Sequence, residues 1–200
     1  MTARKTARKA RTRALEADRK ARDASLRHRH DPAMRVVDVI GKAGDQPPLR
    51  LLSAGILVAG LARRDPRMIG AGVRMLLSHE LATAVKNVVK HRVDRDRPDA
   101  AQGKDGHKPR RGRHTSHEKT SFPSGHSAGS MAVASAFAAT YPEHRGKALS
   151  AATAVALAQI PKCKHYPTDV GAGLAIGKLS DLVIGGLAGL ALSLLIRRRG

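Results

Sequence analysis

Phe122-Pro123-Ser124-Gly125-His126-Ser127 leads directly into an apolar run, Ser127 to Thr140. Ser124 is a good N-cap, Gly125 permits close backbone approach, and a helix starting here presents unpaired N–H groups that attract anions. His126 then lies in the first turn, beside whatever anion binds, where an imidazole can donate a proton to the leaving oxygen of a phosphate ester. The plainer alternative is a capped helix start with a surface histidine.

Working outward, apolar stretches of helical length flank this one. Leu51 to Ala62 and Met68 to Val89 precede it; Leu149 to Ile160 and Val170 to Ile196 follow. Pro47-Pro48 and Arg63-Arg64-Asp65-Pro66 punctuate the early ones, and a polar segment from His91 to Ser121 with nine Lys or Arg reads as loop. No fixed-period repeat and no alternating run appears, so the expected fold class is all-α, a helical bundle. A bilayer span needs roughly 20 mainly apolar residues. Only Val170 to Ile196 meets this easily, and even there Lys178 and Asp181 intervene. A bundle of about five transmembrane helices is the reading, with a soluble bundle of buried apolar helices as the alternative. The expected domains are a basic tail at 1–35 and the helical membrane domain at 45–200.

Two further constellations sit at boundaries of apolar stretches. Lys90-His91-Arg92-Val93-Asp94-Arg95-Asp96-Arg97-Pro98 sets a Lys and an Arg seven residues apart. If the preceding helix continued through them, both would share a face, able to clamp a phosphate as point charge and planar fork. A solvated basic loop is the alternative. His165-Tyr166-Pro167-Thr168-Asp169 places a carboxylate four residues after an imidazole. Asp169 could accept the Nδ1 proton and leave Nε2 free to attack, the base-and-orienter logic applied to a histidine nucleophile. A structural His–Asp hydrogen bond is the alternative.

Together the three motifs resemble the type 2 phosphatidic acid phosphatase superfamily, which includes lipid phosphate phosphatases, bacterial soluble acid phosphatases and vanadium haloperoxidases. Its pattern is K-x6-R-P, then P-S-G-H, then S-R-x5-H-x3-D. The first is complete at Lys90, Arg97 and Pro98, the second at Pro123 to His126, and His165 with Asp169 completes the end of the third. The resemblance spans roughly residues 50 to 196. It implies that His165 attacks phosphorus, Asp169 orients it and His126 protonates the leaving group. Lys90, Arg97, Ser124 and the Gly125 amide would hold the phosphoryl oxygens, with no cofactor and no metal. One position departs: the family's Ser-Arg pair is Ala158-Gln159 here. Gln159 keeps an amide donor at the phosphate-binding position but loses the guanidinium charge, which also supports a catalytically weak member that binds phosphate-bearing lipid. Lys162 or Lys164 could supply the missing charge.

Composition bounds the partners. Thirty-seven Lys and Arg against sixteen Asp and Glu give a formal charge of +21, which favours anionic partners. Two Phe, two Tyr and no Trp argue against nucleic acid, whose single-stranded bases stack on exposed rings. The expected partners are a lipid phosphate or isoprenoid diphosphate as substrate, the lipid bilayer, and anionic lipid through residues 1–30. That stretch holds eleven Lys or Arg, three acids and almost no large apolar side chain, so it reads as a solvated or surface-lying tail without a secretory signal. A nucleic-acid role through this tail and a mitochondrial transit peptide are the weaker alternatives. The expected location is a multi-pass membrane protein of the bacterial inner membrane, with the positive-inside rule placing the site on the cytoplasmic face. Cys163, the only cysteine, excludes an internal disulfide.

Overall fold

A computed structural model describes residues 2–101 and 106–197. Seven α-helices run in chain order: α1 (Thr2–His28), α2 (Met34–Lys42), α3 (Gln46–Arg63), α4 (Pro66–Lys90), α5 (Gly125–Thr140), α6 (Arg145–Leu157) and α7 (Pro167–Arg197). The all-α expectation is met apart from a two-residue antiparallel ladder, β1 (Val93–Asp94) with β2 (Arg110–Arg111), inside the long loop.

Helix α5 is the hub, packed by α4, α6 and α7 and touched by α3. Its sequence explains why. Gly, Ala and Ser predominate, so the helix is slim on every side and is buried along most of its length. Gly173 and Gly177 of α7 lie one turn apart against it; a Cβ on Gly177 would stand 2.8 Å from the Ala132 amide nitrogen. Gly72 does the same between α3 and α4, where a Cβ would meet the Leu57 nitrogen at 2.5 Å. Small residues thus replace large apolar ones as the packing device. Leu49, Met75 and Val133 fill a core among α3, α4 and α5.

Helix starts follow their local chemistry. Asp65 caps α4 by accepting from the amides of Arg67 and Met68 at 2.9 and 3.2 Å, with Pro66 at the first helical position. Ser124 caps α5, accepting weakly from the Ser127 amide at 3.4 Å and from the Ser127 hydroxyl at 2.9 Å. Of the charged residues within α7, Asp181 is buried and accepts from Arg74 Nε of α4 at 2.7 Å, whereas the Lys178 side chain is half-exposed and lies 3.8 Å from Asp181 Oδ2. Charges at this depth find a partner in the bundle.

The structure adds three points to the sequence reading. Among the described residues only α7, with 31 residues and a mean hydropathy of 2.1 over an 18-residue stretch of it, is long and apolar enough to cross a membrane. At 1.5 Å per residue the 16 residues of α5 and 13 of α6 reach only about 24 and 20 Å, so the count of five spans does not follow from helix length. Second, α2 was not legible as a helix. Third, residues 2–28 form helix α1, mostly exposed but with Asp18 fully buried and Ser25 nearly so.

Candidate active site

The site gathers the ends of α4, α5 and α7 and the two connections between them. His165 lies just ahead of α7 and is 2% exposed. Its Nδ1 is 2.8 Å from the Ser121 carbonyl oxygen. A carbonyl only accepts, so Nδ1 carries the hydrogen and Nε2 holds the lone pair. Asp169 Oδ2 is 3.8 Å from the same nitrogen, beyond hydrogen-bond reach. The Nδ1 contact expected of Asp169 is therefore made by Ser121, and Asp169 acts on the ring through its charge. Burial is the main cause that pulls the His165 imidazolium down to about 4; Arg97 and Lys90 add to it, and Asp169 opposes it. The ring is neutral at physiological pH.

Asp169, fully buried in the first turn of α7, is instead the centre of a polar cluster. Its Oδ2 accepts from Ser121 Oγ at 2.5 Å and from the Tyr166 amide at 3.0 Å, and its Oδ1 pairs with Arg95. Its own carbonyl accepts from the Ser124 amide at 3.1 Å, which ties the start of α7 to the start of α5.

His126 stands in the first turn of α5, its ring centroid 6.4 Å from that of His165 at an interplanar angle of 62°. Its Nε2 is 2.7 Å from Asp45 Oδ1 in the α2–α3 connection; with the carboxylate as acceptor, the hydrogen sits on Nε2. The Gly125 amide heads α5, and a Cβ on Gly125 would lie 3.1 Å from Lys86 Cδ and 3.7 Å from Lys86 Nζ. Lys86 is one helical turn before Lys90, so both lysines of α4 reach this end of the bundle.

Lys90 and Arg97 do not share a helix face. Helix α4 ends at Lys90, and the chain passes through β1 before Arg95 bridges to Thr120. Lys90 Nζ donates to the Thr120 carbonyl at 2.8 Å. Arg97 donates from Nε to the His117 carbonyl at 2.8 Å and from Nη1 to the Lys164 carbonyl at 3.1 Å. Helix α4 places Lys90, and the loop, not helical periodicity, places Arg97. Burial draws the Arg97 guanidinium below its ordinary value, yet an arginine remains charged.

Gln159 is fully buried, and its side-chain amide donates to the carbonyls of Val155 at 3.1 Å and Gly41 at 3.4 Å. Its Oε1 has no hydrogen-bond partner. The proposed substitutes for the missing charge are engaged as well: Lys162 Nζ lies 2.7 Å from Asp38 Oδ1, and Lys164 Nζ 3.4 Å from Asp99 Oδ2. Cys163 is buried in this loop, and burial pushes its thiol up, which makes it a poor nucleophile.

Sequence reading missed Arg95, Ser121, Asp45, Asp18 and Lys86. Only Lys86 carried a signal, its four-residue spacing from Lys90 on one helix.

Known proteins bear directly on this arrangement. The lipid A 1-phosphatase of Rhizobium johnstonii is 38% identical over 99 residues, which cover 48% of this chain and 39% of that protein. The protein of the same name from Rhizobium etli is 38% identical over 93 residues, covering 46% and 39%. The matched part is thus well under half of either relative's length. Two solved structures share the fold. One is described as the first transmembrane PAP2 type phosphatidylglycerolphosphate phosphatase, from Bacillus subtilis; its TM-score is 0.64 at 23% identity, covering 87% of this chain and 85% of that one. LpxE of Aquifex aeolicus gives a TM-score of 0.58 at 19% identity, covering 86% and 93%. The sequence profile of the PAP2 superfamily matches residues 71–199, which include all three motifs and every helix from most of α4 onward, and the chain belongs to that superfamily.

Proposed function

We propose that this chain is a phosphatase that hydrolyses the phosphate ester or diphosphate of a membrane lipid through a phosphohistidine at His165. The observation that carries the reading is the state of His165: neutral, with Nδ1 held by the Ser121 carbonyl and a second imidazole 6.4 Å away. In this reading the Nε2 lone pair of His165 forms the bond to phosphorus as the P–O bond to the lipid breaks. His126, as the imidazolium with Nε2–H on Asp45, gives its other ring proton to the departing oxygen and is left as the neutral imidazole. A water then attacks the phosphohistidine, loses its proton to His126 and frees the Nε2 of His165. Lys86, Lys90, Arg97 and the Gly125 amide surround the charge on the equatorial oxygens, where preorganised donors act most strongly. The names of the two curated relatives, lipid A 1-phosphatases, and of the Bacillus subtilis fold neighbour, a phosphatidylglycerolphosphate phosphatase, support the substrate class.

A bilayer setting is part of the same proposal. Besides α7, large apolar side chains stand outward on α3 (Leu51 at 73% exposure, Val58 at 63%) and on α4 (Leu77, Val88), a pattern that suits lipid contact. Docked α1 carries its basic residues at the site end, where anionic headgroups would meet them. The positive-inside rule assigns that end to the cytoplasm.

A second reading, a lipid-binding member with little turnover, draws on Gln159. Its amide hydrogens are occupied by two carbonyls, so it brings neither charge nor a free donor to a phosphate. Phosphate release decides between the two. Purified protein in detergent is given lipid phosphates and isoprenoid diphosphates, with chelator present, alongside His165→Ala. Release that falls by at least about a thousandfold in the variant supports catalysis. No release from any substrate, with lipid phosphate still bound, supports the second reading.

A further inference from the structure

Asp18 is an acid in the middle of a strongly basic helix, yet it is fully buried, and so is the arginine it meets. Asp18 Oδ2 accepts from Arg95 Nη2 at 2.5 Å and from Thr168 Oγ1 at 2.6 Å; Oδ1 accepts from the Thr168 amide at 3.1 Å. Arg95 turns its other terminal nitrogen to Asp169 and to Thr168 Oγ1, donates from Nε to the His107 carbonyl, and lies with Cζ 4.0 Å from the centre of the Tyr166 ring. From Asp169 the chain of contacts continues to Ser121 Oγ, and the Ser121 carbonyl receives the His165 Nδ1 hydrogen.

One buried arginine needs one carboxylate to be neutralised, and Asp169 supplies it. The second carboxylate adds a fixed direction. A guanidinium is a rigid planar fork; with Nη1 on Asp169 and Nη2 on Asp18 its plane has no freedom, and neither has the Asp169 carboxylate. Arg22 reinforces the dock from one turn further along α1, donating to the carbonyls of Pro98 and Ala101 at 3.0 and 2.6 Å.

We propose that Asp18 is a positioning residue for the nucleophile: through Arg95, Asp169 and Ser121 it holds His165 in the tautomer with Nδ1–H and a free Nε2, which makes α1 a working part of the site. Asp18 lies outside residues 71–199, the part matched to the superfamily. The catalytic meaning of this role rests on the phosphohistidine reading; the geometric role does not.

The test uses the full chain in detergent, comparing wild type with Asp18→Asn, Asp18→Glu, Thr168→Ala and, as a control on the exposed side of α1, Asp23→Asn. Nitrogen-15 NMR of histidine-labelled protein reads the His165 tautomer, its signal assigned by loss in His165→Asn, and steady-state kinetics are measured in parallel. Asp18→Asn should mix the two neutral tautomers at His165 and lower kcat about ten- to a hundredfold, with KM changed by less than about twofold. Asp18→Glu should restore part of both, and Asp23→Asn should change neither. Thr168→Ala, which keeps both carboxylates and loses one hydroxyl, should move the tautomer the same way by less, and it carries the comparison if Asp18→Asn does not fold. A pure Nδ1–H tautomer and an unchanged kcat in Asp18→Asn and Thr168→Ala, with only a lower thermal midpoint, would overturn the proposal. A wild type that hydrolyses nothing would instead count against the phosphatase reading, and the tautomer alone would then decide for or against Asp18.

Discussion

His165 combines two constraints that a surface histidine does not meet. Its Nδ1 hydrogen is spent on a carbonyl, and burial beside Arg97 and Lys90 keeps the ring neutral down to about pH 4. In the proposed mechanism attack requires the neutral ring, so lowering the pH would remove activity only as it passes through that value rather than near the ordinary 6.5. We expect kcat/KM to stay level on the acid side between pH 6.5 and 5, with the substrate's own titration followed by phosphorus NMR and allowed for. An acid limb near 6.5 would mean that the nucleophile is solvated. Gln159 allows a second prediction at this scale. If the guanidinium charge is what this chain lacks, Gln159→Arg should raise kcat, by up to about a hundredfold given what one transition-state donor is worth. Unchanged or lower kcat in the same phosphate-release assay would show that Lys86, Lys90 and Arg97 already suffice, or that the buried Gly41 side of the pocket does not admit an arginine. His126, His165 and Asp169 were readable because residue type and short spacing carry their chemistry. Arg95 and Ser121 were not: one is an arginine among many in a basic loop, and the other acts through its backbone carbonyl, which every residue has.

Among the elements, the contact between α5 and α7 holds the two motif-bearing helix starts in register. Gly177 sits against α5 where a Cβ would lie 2.9 Å from Met131 Cβ, whereas Gly186, two and a half turns on, has nothing within 4 Å. Gly177→Leu should therefore destabilise by at least about 1–3 kcal/mol and lower the thermal midpoint in detergent, while Gly186→Leu should leave it unchanged or raise it through helix propensity. Equal midpoints for the two would refute the tight α5–α7 approach. The five apolar helices were legible from hydropathy, with ends within a few residues of those observed. Helix α1 was legible as helix-forming but not as docked. Its inward face, Asp18, Arg22 and Ser25, has helical spacing but no large apolar side chain, so the usual amphipathic signal is absent. Helix α2 is only 9 residues long, too short for a period to stand out.

In the whole molecule the polar work is concentrated at one end of the bundle. Helix α1, the α2–α3 connection, the loop residues 91–101 and 106–121 and the turn at 158–166 converge there around the starts of α5 and α7. The opposite end carries the Arg67 pair with Glu143 and little else of this kind. The all-α class, the order of the apolar helices, the superfamily and the candidate residues His126, His165 and Asp169 were legible in the sequence alone, because helical hydropathy and motif spacing are local properties of the chain. The fold alone settles that Ser121 rather than Asp169 receives the His165 hydrogen, that a loop rather than a continued helix brings Arg97 to Lys90, and that Asp18 contacts Thr168 from 150 residues away. Those outcomes depend on which buried polar group finds which partner across the fold, and a buried charge or N–H is satisfied by proximity in space, which sequence separation does not encode.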